Sequence, residues 1–136
     1  MSKSSRRRFI TDTGKATIAG TFILAANTLQ QKKMNDTFIH HVYFWLKNKD
    51  SKEDLDKLIA GLKKLSAVKT IKQFYMGKPA DTNRDVIDRS YAVSWLVFFK
   101  NAADQAAYQT DPIHLKFVEE CSSLWTRVIV YDSVNV

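Results

Sequence analysis

Cysteine is almost missing from this 136-residue chain, with Cys121 alone present. A single thiol excludes an intramolecular disulfide framework and any zinc or iron–sulfur centre built on several thiolates. Glycine is scarce too, at Gly14, Gly20, Gly61 and Gly77, so there is no Gly-rich loop to cradle a phosphate. Also absent are a His-Glu-x-x-His helix and a Ser-centred nucleophile elbow, which removes the common metalloprotease and hydrolase patterns. What is abundant is apolar: 45% of residues are hydrophobic and 26% charged, the balance of a chain that builds a packed core. The length suits one domain and leaves no room for a second of ordinary size.

Positive charge is lacking where a nucleic-acid binder would need it. The formal charge is +7, but residues 1–33 hold seven Lys/Arg against Asp12, and the other 103 residues carry 14 Lys/Arg against 13 Asp/Glu. A phosphate-binding surface concentrates its cations on the folded domain. Here they lie in a leader-like segment, so nucleic acid is not an expected partner.

That segment begins Ser5-Arg6-Arg7-Arg8-Phe9-Ile10 and continues into a diluted apolar run from Ala16 to Ala26. The run falls short of the roughly 20 apolar residues that span a bilayer. Its layout, basic then weakly apolar, is that of an export signal. The segment resembles the twin-arginine signal, Ser-Arg-Arg-x-Phe-Leu/Ile, at Ser5, Arg6, Arg7, Phe9 and Ile10. The expected organisation is a signal segment and linker over residues 1–33 and one domain over 34–136. An exported or periplasmic location is expected, with the membrane met only transiently.

The domain's pattern alternates strand and helix signals. Phe38 to Leu46 is β-branched and aromatic in both phases, the mark of a strand apolar on two faces. Ser51 with Asp54 reads as a capping box for a helix bearing Leu55, Leu58, Ile59, Leu62 and Leu65 on one stripe. A strand follows over residues 70–76, stopped by Gly77 and Pro79, then a polar loop over 80–88. Residues 91–99 form a third strand, again apolar in both phases. Asn101 with Asp104 opens a short helix, Asp111-Pro112 an N-cap and first helical position of the next, and the last strand spans 127–134.

The order is β-α-β-β-α-β, an α+β chain of the ferredoxin-like kind. Its helices can cover one sheet face only. The apolar second face then calls for a second copy packed sheet on sheet, a two-fold homodimer that closes an α/β barrel. Tyr43, Trp45 and Trp95 are expected in that interface.

Few residues can carry chemistry. His40 and His41 are neighbours on a strand and point to opposite faces, so they do not bind one ion together. His40, in phase with Val42, Phe44 and Leu46, is expected near the strand entrance with its polar edge reaching water. His114 falls in the first turn after Asp111-Pro112, where the helix dipole disfavours an imidazolium and leaves a base for proton abstraction. Tyr108, six residues earlier, can supply a phenolic hydrogen bond. Cys121 lies on its helix's apolar stripe and is expected to pack rather than react. Asp81, Asp85 and Asp88 lack the ligand spacing of a calcium site and read as a solvated loop.

The domain resembles the stress-responsive dimeric α/β-barrel family, the Dabb domain, over Phe38 to Val136. The likeness is carried by His41 within Ile39-His40-His41-Val42-Tyr43-Phe44, by Phe98-Phe99, and by Tyr108-Gln109-Thr110-Asp111-Pro112-Ile113-His114, which is similar to a Tyr-x-x-His/Asp-Pro-x-His signature. The resemblance implies a barrel made by two chains packing sheet to sheet. One plant member of the family is a polyketide cyclase that performs an aldol condensation without metal or cofactor. By that likeness Tyr108 and His114 match an acid/base pair and His41 a pocket histidine, while Val93 stands where the cyclase has a third-strand histidine. The expected pocket is lined by His41, Tyr43, Trp45, Val93 and Trp95, with Tyr108 and His114 reaching it, and it needs no cofactor. The leading expectation is a barrel that binds a small apolar or aromatic molecule. Behind it stand a cofactor-free cyclase or monooxygenase, and a haem-binding or haem-degrading protein.

Overall fold

A computed structural model describes residues 36–136; the signal-like segment expected over residues 1–33 lies outside them. Four strands and three α-helices follow one another as β1 (Phe38–Leu46), α1 (Lys52–Leu65), β2 (Ile71–Gly77), β3 (Val93–Phe99), α2 (Ala102–Thr110), α3 (Pro112–Cys121) and β4 (Trp125–Val134), with a 3-10 turn at Ser122–Leu124 before the last strand. The sheet runs β2-β3-β1-β4 with every neighbouring pair antiparallel, the ferredoxin-like arrangement.

Local chemistry sets the helix starts. Ser51 Oγ accepts from the Asp54 backbone N–H at 3.1 Å, while the Asp54 carboxylate turns to Asn48 Nδ2 at 2.8 Å instead of reaching back to the cap. Asn101 Oδ1 accepts from Asp104 N at 2.9 Å, and Asp111 Oδ1 from Ile113 N at 2.8 Å with Pro112 just inside the helix. Asp111 thus ends α2 and starts α3, and the two helical pieces meet at a corner.

Strand ends differ by two residues from the sequence pattern. Tyr91 and Ala92 precede β3, although the Ala92 N–H still donates to the Phe44 carbonyl at 2.8 Å. β4 begins earlier, at Trp125, because Leu46 pairs with it across a bulge that follows Trp45.

All three helices lie on one face of the sheet and share its core. Val42, Phe44 and Leu46 of β1 and Val93, Trp95, Val97 and Phe99 of β3 bury themselves against Leu58, Leu62 and Leu65 of α1, Tyr108 of α2 and Phe117 and Cys121 of α3. Gly61 lets α1 and α3 approach closely: a Cβ there would sit 2.5 Å from Cys121 Sγ and 3.2 Å from the Phe117 ring. Cys121 is buried in this contact, and burial pushes its thiol above the ordinary range, as a packed rather than a reactive thiol requires.

Trp95 departs from expectation. Its register partner is Val42, so it shares the helix-facing phase and is 1% exposed. Only Tyr43 and Trp45 of the expected interface trio lie on the open face, with His41, Leu96 and Tyr131.

Candidate functional site

Alternation along β1 divides the two adjacent histidines between different environments. His40 faces the helices and is 4% exposed; His41 faces the open side. The expected watery position for His40 is therefore wrong. The β1–β4 register sets His40 opposite Asp132, and His40 Nδ1 lies 2.6 Å from Asp132 Oδ1. A carboxylate only accepts, so Nδ1 carries the proton and the bond fixes the ring's tautomer and orientation.

The corner between α2 and α3 delivers the other two groups. Tyr108 in the last turn of α2 and His114 in the first turn of α3 meet with ring centroids 4.6 Å apart. His40 stands edge-on to Tyr108 at 5.8 Å. Trp95 Nε1 donates to the Tyr108 hydroxyl at 3.3 Å, and Phe99 packs on the same ring at 5.1 Å. The phenol is thereby held from two sides, and its own O–H proton remains available to another acceptor.

His40, Trp95, Tyr108 and His114 border a chamber of about 130 Å³ between sheet and helices, walled further by Phe44, Phe117 and Trp125. Burial pushes the Tyr108 phenol up to about 12, against a smaller opposing influence of the Trp95 hydrogen bond, so at neutral pH it is a donor. Burial pulls the His114 imidazole below its ordinary value of 6.5; a hydrogen bond between the ring and the Gln109 backbone opposes this, the His40 charge adds to it, and Asp111 opposes it again. His114 Nδ1 is buried with no hydrogen-bond partner among the described residues. In the tautomer that leaves Nδ1 without a proton, this ring nitrogen beside a protonated phenol is a proton acceptor next to a proton donor.

The remaining expected pocket residues do not join them. His41, Tyr43 and Trp45 lie on the opposite face of the sheet. There Tyr43 OH is 3.2 Å from His41 Nδ1, Trp45 donates to Ser90 Oγ at 2.9 Å, and the Arg127 guanidinium stacks 4.6 Å over the Trp45 ring. A shallow depression of about 360 Å³, lined by Tyr43, Trp45, Tyr91 and Tyr131 among others, marks this face. Val93 is buried on the helix face but does not border the chamber, whereas Trp95 does. The structure thus brings together His114, Tyr108 and Trp95, replaces His41 by His40, and adds Asp132. His40 was legible from its phase with Val42 and Phe44. Asp132 had a fainter signal, an acid in phase with Val128 and Val130, and its partner lies 92 residues away.

Two of the acidic loop residues serve locally. Asp81 pairs with Arg89 at 3.3 Å, and Asp88 accepts from the Ser90 hydroxyl and backbone N–H.

The family model described as Stress responsive A/B Barrel Domain matches residues 38–135. Among solved structures, a hydroxynitrile lyase from Passiflora edulis is 21% identical, covering 75% of this chain and 95% of its own, with a TM-score of 0.62. A Dabb family protein with a ferredoxin-like fold from Mesorhizobium loti is 22% identical, covering 74% and 97%, also with a TM-score of 0.62. A dimeric ferredoxin-like protein of unknown function from Thermobifida fusca is 15% identical, covering 73% and 91%, with a TM-score of 0.60. At these identities the likeness is one of fold. No curated protein matches the chain.

Proposed function

From the premise that this chain belongs to the stress responsive A/B barrel domain family, we propose that it binds a small uncharged carbonyl compound and moves a proton next to the carbonyl. The buried, unpartnered Nδ1 of His114 beside the protonated Tyr108 carries this reading. In it His114 takes a proton from carbon, and Tyr108 donates a hydrogen bond to the oxygen on which negative charge develops. Trp95 and the Asp132–His40 pair are positioning groups that hold the phenol and one wall. The enolate so formed attacks a second carbonyl carbon in an aldol addition; in the reverse direction His114 takes the proton from the hydroxyl as the carbon–carbon bond breaks and the enolate leaves. The Passiflora edulis relative, as a lyase acting on hydroxynitriles, is of a kindred reaction type. No cofactor enters this reading.

The same proposal includes a homodimer, supported by relatives described as dimeric, joined here through the open sheet face, and export directed by Arg6-Arg7. Tyr75 and Tyr131 are 65% and 62% exposed on that face, an aromatic surface that a second copy would cover.

The test is exchange of the α-protons of butan-2-one in D₂O, followed by proton NMR. Protein should speed exchange above the buffer rate. Because the His114 imidazole titrates below 6.5, the rate should rise with pH through a midpoint under that value and then stay level until the Tyr108 phenol ionises near 12. No acceleration at any pH, or a rate that falls as pH rises through 6, would refute the assignment.

A further inference from the structure

The chain's three histidines divide between the two sides of the sheet, and His41 is the one that the open face carries. It lies in register with Leu96 of β3 and Tyr131 of β4; its ring is 4.3 Å from the Tyr43 ring and its Nδ1 is 3.2 Å from the Tyr43 hydroxyl. A phenol satisfies a neutral imidazole and brings no negative charge to hold an imidazolium. The other elements bring none to His41 either. β3 presents Leu96 between Ser94 and Phe98, β2 presents Tyr75 beyond Leu96, β4 presents Tyr131 and the cationic Arg127, and the loop before β3 sets Tyr91 against Tyr43. That loop's Asp88 lines the face beside Trp45, where it accepts from the Ser90 hydroxyl and N–H. Trp45 is four residues along β1 from His41, roughly 13 Å at the rise of a strand. Behind the sheet, Asp132 is bonded to His40, and the His40 charge opposes a charge on His41. Among the described residues, His41 therefore has no carboxylate partner.

We infer that His41 makes the assembly acid-sensitive: two joined copies enclose its neutral imidazole between their sheets, and protonation of His41 drives them apart. This rests on the homodimer proposed above and names its regulation. A second copy packed on this face takes water from His41 and returns the same aromatic and aliphatic neighbours, so an imidazolium enclosed there is a charge without a partner. Burial within one chain already pulls the imidazole below its ordinary value of 6.5, and the His40 charge adds to this. Covering lowers it further, so the separated chain holds the proton more tightly than the dimer does. Association is then strongest where both forms are neutral, and it weakens as pH falls through the separated chain's value, which lies under 6.5. One His41 per copy means two protons taken up for each dimer parted, a fall of up to about a hundredfold in the association constant per pH unit.

Sedimentation equilibrium of the full chain between pH 8 and pH 5 reads the constant. It should be level from pH 8 to pH 7 and weaker by roughly tenfold or more at pH 5. His41→Leu should associate at pH 8 and change by less than about twofold down to pH 5. His41→Gln, polar but unable to take a charge, should behave in the same way and keeps the test open if the leucine variant does not fold. A second readout is the NMR titration of the His41 ring, whose midpoint should lie lower in a concentrated, dimeric sample than in a dilute, monomeric one. A constant that is unchanged from pH 8 to pH 5, the same fall in the variants, or a midpoint independent of concentration would overturn the inference while the homodimer stood. A chain that stays monomeric at pH 8 and micromolar concentration removes the homodimer and the inference with it.

Discussion

Replacing His114 by alanine should lower the rate of α-proton exchange by about 10²- to 10⁴-fold, the usual contribution of a positioned general base. Three features of that imidazole set the size of the effect. It is delivered by a helix start that Asp111 caps and Pro112 opens, so its place in the first turn is set by backbone chemistry rather than by a flexible loop. Its Nδ1 is buried with no partner among the described residues, and burial keeps the ring in the neutral form that accepts a proton. Its neighbour at 4.6 Å is a phenol that does not ionise until about pH 12. Butan-2-one binding should change by less than threefold, since the chamber's other walls remain. Equal loss of binding and exchange would make His114 a wall residue and leave the protein a binding module. His41→Ala, on the other face of the sheet, should leave exchange within twofold of the unsubstituted protein.

A second large effect is expected on assembly. Tyr131→Glu should weaken the homodimer by about two to four orders of magnitude. A charge buried without a partner costs roughly 3–5 kcal/mol, and 1.4 kcal/mol is tenfold in an equilibrium constant. Tyr131 is 62% exposed within one chain, so the substitution leaves the fold of the protomer intact. It packs 6.0 Å from Tyr43 on the face that the helices of the described residues leave uncovered, where a second sheet would bury it. Sedimentation equilibrium of both proteins gives the two constants. Unchanged association in the variant would move the interface away from this face.

The contrast between His40 and His41 shows how far the sequence reaches. Strand period 2 placed the two histidines on opposite faces, and the flanking residues told which face each shared. The sequence did not show that the helix-facing side holds the chamber, because an interior between two sheets and one between sheet and helices are both apolar. The Tyr108-to-His114 segment was legible as a unit: its spacing crosses a capped helix break, and such a break fixes where the two rings go. Trp95 was misassigned for a physical reason. β3 is apolar in both phases, so alternation alone does not say which phase meets the helices; the Val42–Trp95 register does. Asp132 depended on a pairing between the first and last strands, which no local pattern encodes.

The central claim is that the ligand enters the helix-side chamber rather than the aromatic depression on the open face. Two tryptophans distinguish these sites, since Trp95 borders the chamber and Trp45 the depression. The decisive measurement is the set of intermolecular nuclear Overhauser effects from the methyl protons of bound butan-2-one to the assigned indole protons. Contacts to Trp95, accompanied by contacts to Tyr108, are the predicted result; contacts to Trp45 and Tyr43, with none to Trp95, would contradict it.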